Sequence, residues 1–262
     1  MSTIRVYNRS LNHDPLTKKA IVLDIDSTLL NTQTSLSELH KTGILTDPGQ
    51  IKIRKDIYYL TLDQEYGMQN SSVYKMWGVK RPYLDDFLRF CFEYFRYVFV
   101  WSAGTPPYVN SVVQTLFLPL GLKPHGILNR NDCIILSDGT TYKPLQSLYN
   151  RENINPVNPS FEINATNTMA LDDNSSTFIY NAGNGIHIPA YDVYPNVINI
   201  NRMLKDDNAL LKFMYWLSSD TVINANDVRN LKKDAIFSTS IDTYSKIYHQ
   251  VSSIDLNKIK NS

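Results

Sequence analysis

The sequence predicts an α/β protein built on a central parallel sheet with helices on both faces, and three observations carry that reading. Short apolar runs rich in β-branched residues recur at Ala20–Leu23, Tyr97–Trp101 and Thr168–Leu171, each of the kind that forms a strand buried on both sides. Segments with apolar residues at helical spacing separate them, and such alternation builds parallel sheets. Each run also ends on polar residues able to do chemistry: Asp24, Ser102 and Asp172.

Composition narrows the function. With 262 residues the chain can bury a sizeable core, and 43% apolar and 11% aromatic residues, seventeen of them tyrosines, belong to an ordered protein. The balance of 26 basic against 25 acidic side chains lacks the footprint of a dedicated nucleic-acid binder, so no stable nucleic-acid binding is expected and a protein partner fits better. Two cysteines, Cys91 and Cys133, make neither a disulfide framework nor a zinc site, which points to a reducing compartment, cytoplasm or nucleus. Met1 to Asp14 is too polar for a signal peptide and no run reaches the ~18 apolar residues of a membrane span, so a soluble protein without membrane contact is expected.

Along the chain, a polar leader at 1–17 precedes a main domain expected at 18–218, with an appendage at 219–262. The insert at 31–80 is irregular until Ile51–Arg54 and Ile57–Leu62, which alternate or cluster as strands do, so it reads as a β-hairpin flap. Arg81-Pro82-Tyr83 opens a helix carrying Leu84, Phe87, Leu88, Cys91 and Phe92 on one face, with Asp85 and Asp86 favourable in its first turn. Pro106-Pro107 suits a helix start and that helix runs to about Phe117. Further strands are read at Cys133 to Leu136 and Gly185 to Ile188, a long Asn- and Pro-rich loop at 150–167, and a closing helix through Leu210, Leu211, Phe213, Met214 and Leu217.

Four segments carry candidate chemistry. Asp24-Ile25-Asp26-Ser27-Thr28-Leu29 places two carboxylates two residues apart, which in extended chain share a face and can share one metal ion. An acidic turn capped by Thr28 is the plainer alternative. Ser102 offers a hydroxyl near a helix start, Lys143 a cation between Tyr142 and Pro144, and Asp172-Asp173-Asn174 hard oxygen ligands of the kind Mg2+ prefers. Each alone reads equally as a turn, a cap or a surface lysine. Together they match what phosphoryl transfer to an aspartate needs: nucleophile, acid, divalent cation and fixed donors. Each also follows an expected strand, where open α/β sheets bind ligands.

These segments resemble the haloacid dehalogenase (HAD) superfamily, and within it the phosphatases of the RNA polymerase II C-terminal domain related to NLI-interacting factor. Ala20–Leu30 is similar to the family's strand followed by Asp-x-Asp-x-Thr-Leu, Arg81–Leu88 to its Arg-Pro-x-x-x-x-Phe-Leu block, and Val98–Ala103 to its hydroxyl-bearing strand end. Tyr142–Leu148, Leu171–Phe178 and Asn184–Tyr191 resemble its later segments in order, over roughly Lys19 to Leu217. The Trp-Ser-Ala-Gly wording and the Asn-, Ile- and Tyr-rich composition are similar to versions carried by large DNA viruses, hence virion or infected cell as further locations.

The resemblance implies a Rossmann-like fold with a small flap and no large cap. It implies that Asp24 forms an aspartyl-phosphate, Asp26 serves as general acid and then base, Thr28 and Ser102 hold phosphate oxygens, and Lys143 balances charge. Mg2+ would be held by Asp24, the Asp26 backbone carbonyl and the acidic segment, where Asp172, Asp173 and Asn174 admit two registers and Phe178 favours Asp172-Asp173. The implied substrate is a phosphoserine or phosphothreonine in a protein. Small phosphomonoesters, nucleic-acid ends, or a binding protein that keeps the fold without catalysis are the alternatives.

Overall fold

The structure, a computed structural model, describes residues 15–33, 36–48, 51–62, 74–149, 162–192 and 207–238. Most of the leader, most of the 150–167 loop and the tail beyond 238 lie outside the described residues, as does Tyr66 of the flap. In chain order the strands are β1 (Ala20–Leu23), β2 (Leu30–Gln33), β3 (Ile57–Leu62), β4 (Tyr74–Lys80) and β5 (Tyr97–Trp101), followed by β6 (Gly126–Leu128), β7 (Ile134–Ile135), β8 (Thr141–Tyr142), β9 (Thr168–Asp172) and β10 (Gly185–His187). The α-helices are α1 (Leu36–Lys41), α2 (Ile51–Arg54), α3 (Leu84–Tyr94), α4 (Pro106–Leu116), α5 (Gln146–Tyr149), α6 (Ala209–Leu217) and α7 (Asp220–Ile223).

Five strands make one parallel sheet in the order β10-β9-β1-β5-β6, so the chain leaves the central β1 first toward one edge and later toward the other. Side-chain alternation then divides the core. Ile21, Leu23, Val98, Val100, Met169 and Leu171 face the layer of α3, α4 and α6, while Val22, Phe99, Trp101 and Ala170 face Leu145 and Leu148 at α5 and Phe178. Helical residues therefore cover both faces, which is why these strands read as unbroken apolar runs.

Three expectations are corrected. The strand read at Cys133 to Leu136 does not join the parallel sheet, whose edge strand is β6; Ile134 and Ile135 form a separate antiparallel ladder with β8 and are exposed. The flap is not a lone hairpin but a three-stranded antiparallel sheet, β2-β4-β3, in which the added strand β2 leads directly out of the loop after β1. Ile51–Arg54 is a helical turn, not a strand: Ile53 packs on Ile44 and Trp77, and Arg54 ties the turn back through Nε to the Ile44 carbonyl at 2.9 Å. Two alternating isoleucines are too short a pattern to separate the two conformations. Beyond residue 218, Val222, Val228 and Ile236 enter the same apolar cluster as α3 and α6. Among the described residues no helix is long and apolar enough to cross a membrane.

Arg81 joins the parts. Fully buried at 1% exposure, its guanidinium binds Asp207 twice (Nε–Oδ1 2.9 Å, Nη2–Oδ2 2.8 Å), the Thr28 carbonyl at 2.9 Å and the Pro189 carbonyl at 2.7 Å. One planar cation thus fixes the loop after β1, the segment after β10 and the entry to α6. Breaking a buried pair from one side leaves the other charge uncompensated, so Arg81→Leu should lower the unfolding free energy by about 3 kcal/mol or more, read from urea midpoints. Arg81→Lys should recover only part of this, since a point charge cannot span the four acceptors.

Candidate active site

Register brings the chemistry together. Leu23 stands level with Val100 on one side and Leu171 on the other, so the next residues, Asp24, Trp101 and Asp172, end three adjacent strands at one edge of the sheet. The Asp24 N–H still bonds the Leu171 carbonyl at 3.0 Å, holding Asp24 beside β9. The chain then turns. Ser27 adopts φ +57, and the Ile25 carbonyl accepts the N–H groups of Thr28, Leu29 and Leu30. A left-handed non-glycine residue costs on the order of 1 kcal/mol. Here the Ser27 hydroxyl donates to Asp192 at 2.8 Å and the Ser27 carbonyl accepts the Tyr191 N–H at 2.7 Å, anchoring the turn.

That turn separates the two aspartates that an extended chain would set side by side. Asp24, Asp172 and Asp173 present carboxylate oxygens within 4.8 Å of one another, and the Asp26 carboxylate is not part of that group. Asp26 can therefore join such a site through its backbone carbonyl rather than as a member of the carboxylate cluster. Lys143 lies against the cluster, its Nζ 2.5 Å from Asp24 Oδ1 and 2.7 Å from Asp172 Oδ2. It is carried just past β8 on the small ladder rather than at the end of a parallel strand, and its own N–H bonds the Thr177 carbonyl at 2.9 Å.

With all four groups ionised, three carboxylates and one ammonium would leave two surplus negative charges. The titration behaviour follows. Burial raises the Asp24 carboxyl to about 8, with the Lys143 ammonium pulling it down and the Asp172 charge adding to the rise. Asp173 is raised by burial and then by Asp172. Burial opposes the Lys143 charge, but Asp24 and Asp172 outweigh it and keep Lys143 an ammonium. Hard oxygens with a surplus of two negative charges suit a divalent cation.

Thr28, expected to hold a phosphate oxygen, is fully buried and braces the acidic segment. Its hydroxyl donates to Asp173 Oδ1 at 3.2 Å and accepts the Asp173 N–H at 3.0 Å. Asn174 caps the following 3-10 helix, its Oδ1 accepting from the Ser176 N–H at 3.1 Å and the Ser176 hydroxyl at 2.8 Å. Ser102, ending β5, accepts the Gly104 N–H at 2.9 Å and lies 3.4 Å from Asp26 Oδ2.

Asp26 has a different company. Burial raises its carboxyl, and hydrogen bonds, that from the Tyr108 hydroxyl foremost, pull it back. Tyr108 and Thr32, which bonds Tyr108 at 2.6 Å, are not discernible as site residues in the sequence. The one local signal is that Tyr108 sits in the first turn of the helix that follows Ser102.

The sheet order and the acidic cluster at the carboxyl ends of its central strands define the HAD fold, a class of α/β domain with an aspartate at the end of the first strand. The fission yeast RNA polymerase II CTD phosphatase Fcp1, in a structure with beryllium fluoride bound, superposes at TM-score 0.52 with 15% identity, over 78% of this chain and 53% of that one. A second structure of Fcp1 superposes at TM-score 0.49 with 17% identity, over 82% of this chain and 58% of that one. Residues 19–229 match the NLI interacting factor-like phosphatase family, and the chain belongs to it. A probable C-terminal domain small phosphatase of Dictyostelium discoideum is 26% identical over 211 residues, 80% of this chain. The chain spans about half the length of this curated relative, 53%.

Lys143→Met should leave Asp24 and Asp172 adjacent, buried and without their cation. A loss of about 3–5 kcal/mol is expected in urea unfolding of the metal-free protein. Added divalent cation should restore part of it by binding the folded state alone.

Proposed function

We propose that this chain is a Mg2+-dependent phosphatase that works through an aspartyl-phosphate on Asp24 and removes phosphate from phosphoserine or phosphothreonine in a protein segment. The observation that carries the reading is the unequal treatment of two aspartates two residues apart. Asp24 lies against Lys143 and the acidic cluster, whereas Asp26 is turned away to Tyr108 and Ser102. Pairs of carboxyls whose surroundings push them apart are how one site supplies both a nucleophile and an acid.

In the first step an Asp24 oxygen attacks phosphorus and the bond from phosphorus to the ester oxygen breaks. Its electron pair leaves with the serine or threonine oxygen, which takes a proton from Asp26. In the second step water attacks the phosphorus of the aspartyl-phosphate and gives its proton to Asp26, releasing phosphate and the Asp24 carboxylate. Lys143 holds the Asp24 side chain and offsets charge as the phosphoryl group arrives, and Thr28 keeps Asp173 in place. Members of the HAD class typically use Mg2+, which when bound by Asp24, Asp172, Asp173 and the Asp26 carbonyl would neutralise phosphate oxygens as a Lewis acid. The curated relative's printed name and that of Fcp1 support a C-terminal-domain-like phosphoprotein as the substrate. The absence of a large cap among the described residues suits a bulky one.

A panel of phosphoserine and phosphothreonine peptides, assayed with Mg2+ and with EDTA, tests this. Asp24→Asn should lower kcat/KM by about a thousandfold or more, and EDTA should abolish turnover reversibly. Asp26→Asn should cost about 10²–10⁴-fold. Unchanged turnover in Asp24→Asn would sink the mechanism. Faster hydrolysis of nucleotides or 3′- or 5′-phosphorylated oligonucleotides than of any phosphopeptide would move the substrate class.

A further inference from the structure

Asp26 is reached by a line of hydroxyl groups that begins in the flap. The Tyr58 hydroxyl lies 2.6 Å from Thr32 Oγ1, Thr32 Oγ1 lies 2.6 Å from the Tyr108 hydroxyl, and the Tyr108 hydroxyl donates to Asp26 Oδ1. Tyr58 is on β3, Thr32 on β2 and Tyr108 on α4, so three elements meet at one carboxylate. Burial raises both phenols well above their usual range, which keeps them protonated and able to donate.

Proton counting gives the line a direction. Each hydroxyl owns one hydrogen. The Tyr108 hydrogen goes to Asp26, so the short contact between Tyr108 and Thr32 takes the Thr32 hydrogen, and Thr32 must accept from Tyr58. The line therefore runs Tyr58 to Thr32 to Tyr108 to Asp26 Oδ1. Oδ1 takes the short hydrogen bond from Tyr108, whereas Oδ2 accepts only the long one from the Ser102 hydroxyl at 3.4 Å, so Oδ2 is the oxygen better placed to carry the proton that Asp26 transfers.

Two glycines make the line sterically possible. Thr32 and Tyr58 both stand opposite Gly78 of the middle strand β4, and Tyr58 reaches Thr32 by passing over it. A Cβ on Gly78 would lie 2.2 Å from the Tyr58 hydroxyl oxygen and 2.4 Å from the Asn31 backbone carbonyl oxygen on β2. A Cβ on Gly104 would lie 2.5 Å from Tyr108 Cδ1, in the path of the ring.

We propose that Tyr108, held by Thr32 and through it by Tyr58, is the positioning residue for the general acid, fixing which Asp26 oxygen delivers the proton to the leaving group and tying that delivery to the seating of the flap. The inference rests on Asp26 acting as that acid in the phosphatase reading. Tyr108 itself touches no reacting atom in this scheme.

The test separates protonation of the leaving group from every other contribution. An alkyl phosphate such as a phosphoserine peptide needs a proton as its oxygen departs, whereas 4-nitrophenyl phosphate has a leaving group stable as an anion. For kcat/KM, which reports the first transfer, Tyr108→Phe and Thr32→Val are expected to lose about tenfold or more on the phosphopeptide and less than about threefold on the aryl ester. Thr32→Ser, which keeps the hydroxyl, should return to within about threefold of wild type on both, and Gly78→Ala should behave like Thr32→Val. Thermal melts check that each variant is folded, and any one of Tyr108→Phe, Thr32→Val or Gly78→Ala that folds suffices. Wild-type turnover of the phosphopeptide by these variants, or equal losses on both esters, would overturn the proposal while leaving the phosphatase reading intact. Asp26→Asn is the separate control. If it shows no greater loss on the phosphopeptide than on the aryl ester, Asp26 is not the acid and the inference falls with that assignment; if Asp24→Asn alone keeps full activity, the failure lies in the parent mechanism.

Discussion

The site is organised around a charge that cannot be placed elsewhere. A lysine ammonium held at 7% exposure is tolerable only with carboxylates in contact, and carboxylates ending two neighbouring strands are tolerable only with a cation between them. Lys143, Asp24 and Asp172 solve one another's desolvation problem, yet the solution is incomplete because Asp173 adds a further negative charge. A metal ion and a phosphoryl group of opposite sign can enter such a site together without its charge balance running away. Preorganised charge of this kind, already desolvated before substrate arrives, is the usual source of electrostatic stabilisation in enzymes.

Around that centre the fold uses separate devices for the two aspartates. The parallel register fixes Asp24, since β1 is hydrogen-bonded on both sides and cannot slide without moving β5 and β9. Asp26 lies past the end of the strand, where the Ser27 turn, the Arg81 guanidinium on the Thr28 carbonyl, the Ser102 hydroxyl and Tyr108 of α4, backed by the flap hydroxyls, define its position. Asp24 is thus set by the sheet, and Asp26 by tertiary contacts to Tyr108 and Ser102.

That division explains what the sequence reveals. Asp24, Ser102 and Asp172 are legible because each ends an apolar run, and a run of four or five buried residues is a strong local pattern. Asp173 and Lys143 are legible through their order in the chain. β6 is not, because Gly126-Ile127-Leu128 is too short to show a period, while the exposed Ile134, Ile135 and Leu136 mimic a buried strand that they do not form. Nor is the line from Tyr58 to Asp26, whose members are far apart in the chain and carry no pattern until the flap folds over α4. Thr28 is legible by its place in the motif, but its contact with Asp173, made across the sheet from a distant segment, is not.

Lys143 rides on the β7–β8 ladder, outside the main sheet, and the far end of that ladder is a turn through Ser137, Asp138 and Gly139, with Gly139 at φ +86. The end nearest the site is pinned by the Thr177 carbonyl, and Ser137, Asp138 and Gly139 at the other end are exposed. The charge that the whole site depends on is thus mounted beside an exposed hairpin and not on the central sheet.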